Sequence, residues 1–274
     1  MCVVSIVKSR HMKTKRLLIT ALILVSFLLI NATTDHKKLS ESMIEQSVVK
    51  ISPNLYACKY ETSNWLYLQF LTDLKKNNSA EDLKIAQVDT AEWTSTLHYN
   101  EPFVKYYLRH PAFADYPVVN ISYEGANLFC KWLTDKYNTI PNRKYKNVVF
   151  RLPTEQEWVL AAKGGLPNPI YSCGDTLRDK TGEYMCNYHM ARLIDNGGLN
   201  DYSDITGPVK NNPTNGFGIY NMSGNVAELI SEKGITKGGS WRTDSKALQL
   251  DAKGTYEKAA CDIGFRYFME VKGN

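Results

Sequence analysis

The segment 164–240 most limits how this chain can fold, because glycine, asparagine, aspartate and proline interrupt it throughout. It contains little that could form a long helix. A domain with so much ordered loop needs buried aromatic side chains, disulfides or bound ions for its cohesion. The strand-like runs, such as 148–151 and 265–269, are short. The sequence therefore predicts a few short helices and strands joined by much ordered loop.

Three helices are marked by their start signals, which lie at 62–64, at Ser122 and directly after Pro153. The third has a capping box at 154–157, and a glycine pair ends it. Apolar residues at helical spacing predict the buried faces: Trp65, Leu68, Leu71 and Leu74, then Ala126, Phe129, Cys130 and Leu133, then Trp158, Ala161 and Ala162.

The N-terminus has the layout of a secretory signal. From Met12 a basic start precedes an apolar run of 14 residues at 17–30, and Ala32 suits the last position of a cleavage site. The run is short for a membrane span, and an uncleaved membrane anchor is the alternative. The chain thus divides into an upstream extension and signal peptide at 1–32, a polar spacer with room for one short helix at 33–50, and a folded domain at 51–270.

The formal net charge of +5 comes from the leader. The 33 basic residues include five at 1–32, where no acidic residue occurs, so 33–274 carries 28 basic and 28 acidic side chains. Without a basic field, a nucleic-acid partner is not expected. Contact with a membrane is expected only through an uncleaved leader. Export places the protein in the periplasm or cell envelope.

Export also decides how the cysteines are interpreted. In an oxidising compartment, Cys58, Cys130, Cys173, Cys186 and Cys261 are expected to pair rather than to remain free thiols. Their odd number leaves at least one unpaired. No CxxC occurs, which argues against a zinc ribbon or a thioredoxin-like site.

Six short motifs are spread along the chain. They are KYETSN at 59–64, YPVVNISYE at 116–124, FRLPTEQEW at 150–158, NGFGIYNMSGNVAE at 215–228, GGSW at 238–241 and GFR at 264–266. In this order they resemble the formylglycine-generating-enzyme family, the sulfatase-modifying-factor domain. The resemblance covers about residues 51–270 and implies that family's irregular α+β fold, related to C-type lectins.

A narrower resemblance lies in VDTAEW at 88–93 and in the tyrosine-rich segment 99–118. Both are similar to the gliding-motility lipoproteins, a branch associated with type IX secretion in Bacteroidetes. This chain departs from that branch because no lipid-attachment cysteine closely follows the apolar run of its leader.

In enzymes of the family, two cysteines after the GGS motif bind copper and activate oxygen to oxidise a substrate cysteine. By register these positions hold Thr243 and Leu248, behind the frame Gly238, Gly239 and Ser240. A hydroxyl and an isobutyl group offer copper(I) no soft donor. The resemblance therefore implies that the copper chemistry is lost, and no copper is expected.

Another branch of the superfamily uses a histidine-rich iron site. His98, His110 and His189 are scattered here, without a His-x3-His-x-Glu arrangement. Lone histidines are usually surface or structural residues, so no iron is expected either.

The resemblance also implies calcium. Four residues match the family's calcium loop and offer an amide oxygen, two backbone carbonyls and a carboxylate, which suit a hard cation: Asn221, Gly224, Val226 and Glu228. The alternative is a plain Asn/Gly turn before a strand. A second calcium site would use a more irregular set: Asn187, the Tyr188 carbonyl and Asp201.

Two disulfides follow from the same comparison. Cys173 and Cys186 stand where the family usually has a tryptophan and a small residue, at the edges of one short loop, which indicates a local bridge. Cys130 with Cys261 is a second candidate, although the family's partner position is here Tyr267.

Three further residues have a structural interpretation. Glu157 is expected to be part of the capping box rather than to act as a catalytic acid. Arg266 is expected in a buried ion pair rather than an anion site, and Trp241 in the core rather than in a substrate platform.

We therefore expect an exported, calcium-stabilised family member without the copper site. It would be a non-catalytic structural or binding component at the cell envelope, where it acts with protein partners. The narrower resemblance relates this role to gliding or type IX secretion. Two alternatives stay open: an enzyme that uses the scaffold with a different active site, and a carbohydrate or peptide binder by analogy with lectins.

Overall fold

Short helices and strands alternate with long irregular segments. The computed structural model describes residues 38–95, 101–188 and 205–273. The helices are α1 (Glu41–Ser47), α2 (Asn64–Lys76), α3 (Ala80–Ile85), α4 (Glu92–Ser95), α5 (Glu101–Tyr106), α6 (Tyr123–Asn138) and α7 (Glu155–Lys163), with a 3₁₀ turn at Pro111–Phe113. The strands are β1 (Val48–Ser52), β2 (Leu55–Cys58), β3 (Val148–Arg151), β4 (Ala227–Leu229), β5 (Ile235–Lys237), β6 (Gly254–Thr255), β7 (Ile263–Gly264) and β8 (Phe268–Val271). The α+β class is confirmed.

The strands form two four-stranded sheets within the described residues. The first has the order β1-β2-β8-β3 and is antiparallel throughout. The second has the order β6-β5-β4-β7, in which β4 pairs antiparallel with β5 and parallel with β7. Because β8 lies between β2 and β3, the last strand of the chain joins the N-terminal hairpin to the segment before α7.

The main core packs around α6. Ser122 caps this helix, and the predicted stripe is buried: Ala126, Phe129, Cys130 and Leu133. The Phe129 ring centroid lies 5.8 Å from that of Tyr67 and 5.3 Å from that of Phe265. Aromatic packing of this kind supplies the cohesion that the short strands cannot.

Helix α7 forms as predicted. Thr154 and Glu157 make both hydrogen bonds of the capping box, and Gly164 ends the helix with a φ of +58°. Trp158, Ala161 and Ala162 are buried. The Glu157 carboxylate also accepts two 2.7 Å hydrogen bonds from the Arg151 guanidinium, which agrees with its structural interpretation.

Helix α2 begins where predicted, after the capping residue Ser63, but its inner face differs from the predicted one. The buried apolar residues are Tyr67, Phe70 and Leu74, and the half-buried ones are Trp65, Leu68 and Leu71. Of the predicted face only Leu74 is buried, because the aromatic pair of Tyr67 and Phe70 occupies the core, with ring centroids 5.3 Å apart.

The folded domain begins before the predicted boundary at residue 51. Residues 41–50 form α1, the one short helix that the spacer was expected to allow, and most of β1, which was not expected. Ile44 and Val48 are buried in the main core, and the Ser47 hydroxyl lies 2.8 Å from that of Tyr267. The spacer prediction is wrong here because Ile44 and Val48 are single apolar residues among polar neighbours. A short helix or an edge strand can bury one side with such isolated residues.

The last predicted strand, 265–269, is displaced towards the C-terminus. Residues 265–267 instead run beside the first hairpin, where the carbonyl of Tyr267 accepts a 3.0 Å hydrogen bond from the backbone of Cys58. The regular strand β8 then begins at Phe268.

Asparagine side chains hold the irregular segments together. In the described parts of 164–226 there is no helix and no regular strand. The Asn215 amide donates to the Ala161 carbonyl at 2.8 Å, and its oxygen accepts from the backbone of Phe217 and Ile219 at 3.0 and 3.1 Å. One side chain thus satisfies the end of α7 and closes the following turn.

No helix among the described residues is long and apolar enough to cross a membrane. The leader at 1–32, including its apolar run at 17–30, lies outside those residues.

Candidate functional site

The GGS frame is a turn that requires its two glycines. Gly238 and Gly239 have φ values of +88° and +64°, in the left-handed region that favours glycine. A Cβ on Gly239 would lie 2.7 Å from Leu248 Cδ1, and one on Gly238 would lie 3.1 Å from the Trp158 ring. The frame therefore packs tightly against the position of the second family cysteine.

Thr243, at the first family cysteine position, closes this turn. Its hydroxyl accepts a 2.8 Å hydrogen bond from the Ser240 backbone and lies 3.1 Å from the Ser240 carbonyl, to which it donates. The Ser240 hydroxyl donates in turn to Asp262 at 2.8 Å. Both hydrogen-bonding functions of the Thr243 hydroxyl are therefore used inside the turn.

Leu248, at the second cysteine position, is fully buried. It belongs to a small apolar cluster with Leu177, Cys186 and Tyr188. Its carbonyl accepts a 3.0 Å hydrogen bond from the Ser223 hydroxyl. The position has become part of the core.

Trp241 agrees with its structural interpretation. The side chain is 3% exposed and packs in a third core cluster that includes Trp93, Val119 and Val226.

Behind the frame lies a buried ion pair between Arg266 and Glu228. Arg266 Nε donates to both carboxylate oxygens of Glu228, at 2.8 and 2.7 Å, and Trp158 Nε1 donates to one of them at 2.8 Å. The remaining Arg266 nitrogens donate to the carbonyls of Cys58 and Tyr220 at 3.1 and 2.9 Å. The side chain of Arg266 is 0% exposed and that of Glu228 is 1% exposed, so the expected buried pair is present.

A second buried carboxylate, Glu61, was missed in the sequence. Its oxygens accept hydrogen bonds from the side-chain amides of Asn221 and Asn225, at 2.9 and 2.8 Å. Burial raises the pKa of Glu61 to about 8, and the nearby Arg266 opposes that rise. The signal was its position in the motif 59–64, directly beside the helix cap of α2.

Two of the four predicted calcium ligands, Asn221 and Glu228, already have hydrogen-bond partners in this arrangement. Both oxygens of Glu228 already accept hydrogen bonds from Arg266 or Trp158. The Asn221 amide oxygen accepts a 2.9 Å hydrogen bond from Asn212. A cation bound by Glu228 would have to displace a guanidinium. The structure shows Glu228 as an ion-pair partner, and calcium at this loop stays a prediction. The glycine at 224, with a φ of +85°, serves the turn predicted as the alternative.

The second calcium set is only partly described. The Asn187 carbonyl accepts a 2.8 Å hydrogen bond from the Asn225 backbone, Tyr188 is buried, and Asp201 lies outside the described residues. Across the described residues, no group of three or more His, Cys, Asp or Glu side chains could hold a metal ion.

Comparison with known proteins agrees with the motifs. The family model of the sulfatase-modifying factor enzyme 1-like domain matches residues 26–271. The chain belongs to this family. The predicted fold resemblance is thereby confirmed at the level of the family.

Two relatives show the range of the family. The chain is 32% identical to the mouse formylglycine-generating enzyme over 120 residues, which cover 43% of this chain and 28% of that protein. It is 26% identical to a mouse protein named inactive C-alpha-formylglycine-generating enzyme 2 over 196 residues, which cover 62% of this chain and 57% of that protein. The chain thus spans less than two thirds of either relative.

A solved structure supports the fold alone. The Treponema denticola variable protein 1 has a TM-score of 0.52 and 17% identity, and the match covers 82% of this chain and 91% of that one.

Of the three histidines weighed for an iron site, only His110 lies among the described residues. His110 precedes the 3₁₀ turn, and its Nδ1 accepts a 3.2 Å hydrogen bond from the Ala112 backbone. His98 and His189 lie outside the described residues.

The two cysteine pairs have different outcomes. The structure brings Cys173 and Cys186 together, with their sulfurs 3.8 Å apart and unbonded. Cys130 and Cys261 lie in different core clusters, and no disulfide joins them. The bridge between Cys130 and Cys261 is therefore not formed, because Cys130 faces the inside of α6.

The Glu228→Gln variant distinguishes a role of Glu228 in the ion pair from a role in calcium binding. Removing the charge leaves Arg266 buried and unpaired, which is expected to lower the free energy of unfolding by about 3–5 kcal/mol. Urea unfolding, with and without calcium or chelator, is expected to give the same loss in each condition.

The matched control for this prediction is Glu270→Gln, because Glu270 pairs with Arg151 at a half-exposed position. Its loss is expected to be about 0–1 kcal/mol. A Glu228→Gln loss that vanishes when calcium is removed would restore the calcium assignment.

Glu61 gives a pH dependence of stability. Between its ordinary pKa of 4.5 and about 8, the folded state keeps a proton that the unfolded state releases. The free energy of unfolding therefore falls as pH rises through this window, by at most about 1.4 kcal/mol per pH unit. Denaturant unfolding of wild type and Glu61→Gln is expected to show this slope in the wild type only. Parallel curves for the two proteins would contradict the raised pKa.

Proposed function

We propose that this protein is a non-catalytic member of the formylglycine-generating-enzyme family that acts as a structural or binding component. One observation carries the proposal: the fold itself uses both copper-ligand positions of the family enzymes. Thr243 closes the turn of the GGS frame, and Leu248 is a fully buried core residue.

The donor chemistry supports this proposal. Copper(I) requires soft thiolate or thioether donors. The hydroxyl of Thr243 keeps its proton at physiological pH, and Leu248 has no donor atom. Losing both ligands removes the metal rather than changing its reactivity, so the family oxidation has no route through these residues.

The scaffold is held together by interactions that need no metal. The frame still depends on Gly238 and Gly239, and the Arg266–Glu228 pair lies buried behind it. A relative that the chain matches over 196 residues, 57% of that protein, carries the word inactive in its name. These features favour a protein that kept the shape of the family and presents it to a partner.

The proposal predicts that the protein neither binds stoichiometric copper nor makes formylglycine. Purified protein is incubated with copper(I), oxygen and a sulfatase-type cysteine peptide, and the aldehyde is sought by mass spectrometry. Turnover, or one copper per chain held at the frame, would contradict the proposal and favour the alternative of an enzyme with a different active site.

A control is needed because Cys173 and Cys186 could themselves bind copper(I) through their adjacent sulfurs. The copper titration is therefore repeated in a Cys173→Ala, Cys186→Ala background. In that background, adding Thr243→Cys with Leu248→Cys is expected to create copper binding, whereas Thr243→Ser with Leu248→Met is expected to leave it far weaker.

We also propose that the protein is exported to the periplasm or cell envelope, because of the basic start and apolar run within 1–32. The segments 88–93 and 99–118 support a narrower role in gliding or type IX secretion through envelope protein partners. Neither a nucleic-acid partner nor direct membrane insertion of the folded domain is part of the proposal.

Export predicts a mature N-terminus near residue 33. Cell fractionation followed by N-terminal sequencing is expected to find the processed chain outside the cytoplasm. A cytoplasmic chain that still begins at Met1 or Met12 would contradict export. A deletion strain with normal gliding and secretion would contradict the narrower role while leaving export intact.

The remaining alternative, a carbohydrate or peptide binder, rests on the relation of the family fold to C-type lectins. It assigns the same scaffold a ligand instead of a protein partner.

A further inference from the structure

Cys173 and Cys186 lie side by side because the chain folds back on itself between them. The backbone of Met185 donates a 2.9 Å hydrogen bond to the Leu177 carbonyl, which pairs the two arms of the segment. The two sulfurs are consequently 3.8 Å apart, although 13 positions separate the residues.

A stacked arginine holds the turn of this segment. The Arg178 guanidinium lies 3.7 Å from the centroid of the Tyr184 ring. It also donates a 2.6 Å hydrogen bond to the Gly182 carbonyl. The approach of the sulfurs is thus a consequence of an organised turn, since these contacts fix both of its arms.

The two thiols differ in their surroundings. Cys186 is 3% exposed and belongs to the apolar cluster that contains Leu248. Cys173 is half-buried and contacts the Thr176 carbonyl at 3.3 Å. The hydrogen bond from Cys186 lowers the pKa of Cys173, while the same contact and burial raise the pKa of Cys186.

The core cysteines behave differently. Cys58 and Cys130 are each 2% exposed, and burial is the main cause that raises the pKa of both thiols. Thiolate character and access to solvent decide the reactivity of a cysteine. Among these residues, Cys173 is the one with both properties.

We propose that Cys173 and Cys186 form a thiol–disulfide exchange site for small-molecule disulfides, in which Cys173 attacks and Cys186 resolves. The site is distinct from the copper positions of the family, and the proposal does not depend on whether those positions are active.

The exchange has two steps. The Cys173 thiolate attacks one sulfur of a disulfide RSSR, the S–S bond breaks, and RS⁻ leaves while a mixed disulfide forms on Cys173. Cys186 then attacks the Cys173 sulfur and releases the second RS⁻, which takes up the Cys186 proton. The first RS⁻ takes up from solvent the proton that Cys173 released when its thiolate formed. In total the protein loses two protons and two electrons, and the small molecule is reduced to two thiols.

The geometry makes the second step easy. The sulfurs have to approach from 3.8 Å to about 2.05 Å, the length of a disulfide bond. Cys173 lies on the more exposed arm and can make this movement, while Cys186 is held in its cluster. The product ties the segment 173–186 to the part of the core that contains Leu248.

The test uses the reduced full-length chain and glutathione disulfide. After alkylation of the remaining thiols, peptide mapping of the wild type is expected to find a link between Cys173 and Cys186 and almost no bound glutathione. Closing this loop is expected to raise the thermal midpoint by about 5–10 °C.

Two reciprocal variants assign the roles. Cys186→Ala is expected to accumulate the glutathione adduct on Cys173, because nothing resolves it. Cys173→Ala is expected to form at least about tenfold less adduct at Cys186, because that thiol is buried and protonated. Thermal unfolding first establishes that each variant is folded, and the mapping of the wild type depends on neither variant.

Three results would overturn the proposal. They are a wild type that does not react or that retains glutathione, a link that involves another cysteine, and equal adduct levels in the two variants.

Discussion

The buried pair of Arg266 and Glu228 is the interaction on which this loop-rich fold depends. One guanidinium contacts the carboxylate on β4, the Cys58 carbonyl at the end of β2 and the Tyr220 carbonyl in the long irregular segment. Three distant parts of the chain thereby meet at a single side chain. A desolvated pair contributes little net stability when intact, but removing either partner leaves an unpaired charge in the core. The pair consequently holds together segments that have few backbone hydrogen bonds of their own.

The buried charges at this centre do not balance, because two carboxylates, Glu61 and Glu228, lie near one guanidinium. Glu228 takes the contact with Arg266, so Glu61 is left with amide donors from Asn221 and Asn225. Amides stabilise a carboxylate less than a guanidinium does, which is why burial prevails in raising its pKa. The Asn-rich loop is thus organised by a carboxyl group that holds its proton near neutral pH. A calcium ion at the predicted ligands would have to displace Arg266 from Glu228.

Local signals in the sequence predicted the parts of the fold that depend on local chemistry. The capping box at Thr154, the start of α6 at Ser122 and the buried role of Arg266 all follow from nearby residues or from a motif, and the structure contains each of them. The N-terminal boundary and the inner face of α2 could not be obtained in this way. Both depend on which distant residues cover a side chain. The same limit explains why the sequence did not pair Glu228 with Arg266. A carboxylate four residues after a glycine can bind a metal cation or a guanidinium, and the sequence nearby does not distinguish the two.

The substitution of a thiolate position by Leu248 also has a consequence for the neighbouring cysteines. Its isobutyl group lies in the apolar cluster that covers Cys186, and exclusion of water favours the neutral thiol there. A neutral Cys186 can donate its hydrogen to the Cys173 sulfur, 3.8 Å away, and so stabilise a thiolate at the more exposed residue. The loss of a metal ligand and the asymmetry of the dithiol are therefore physically connected. A side chain with no reactive atom thus adds, through burial, to the effect that the contact with Cys173 has on the pKa of Cys186.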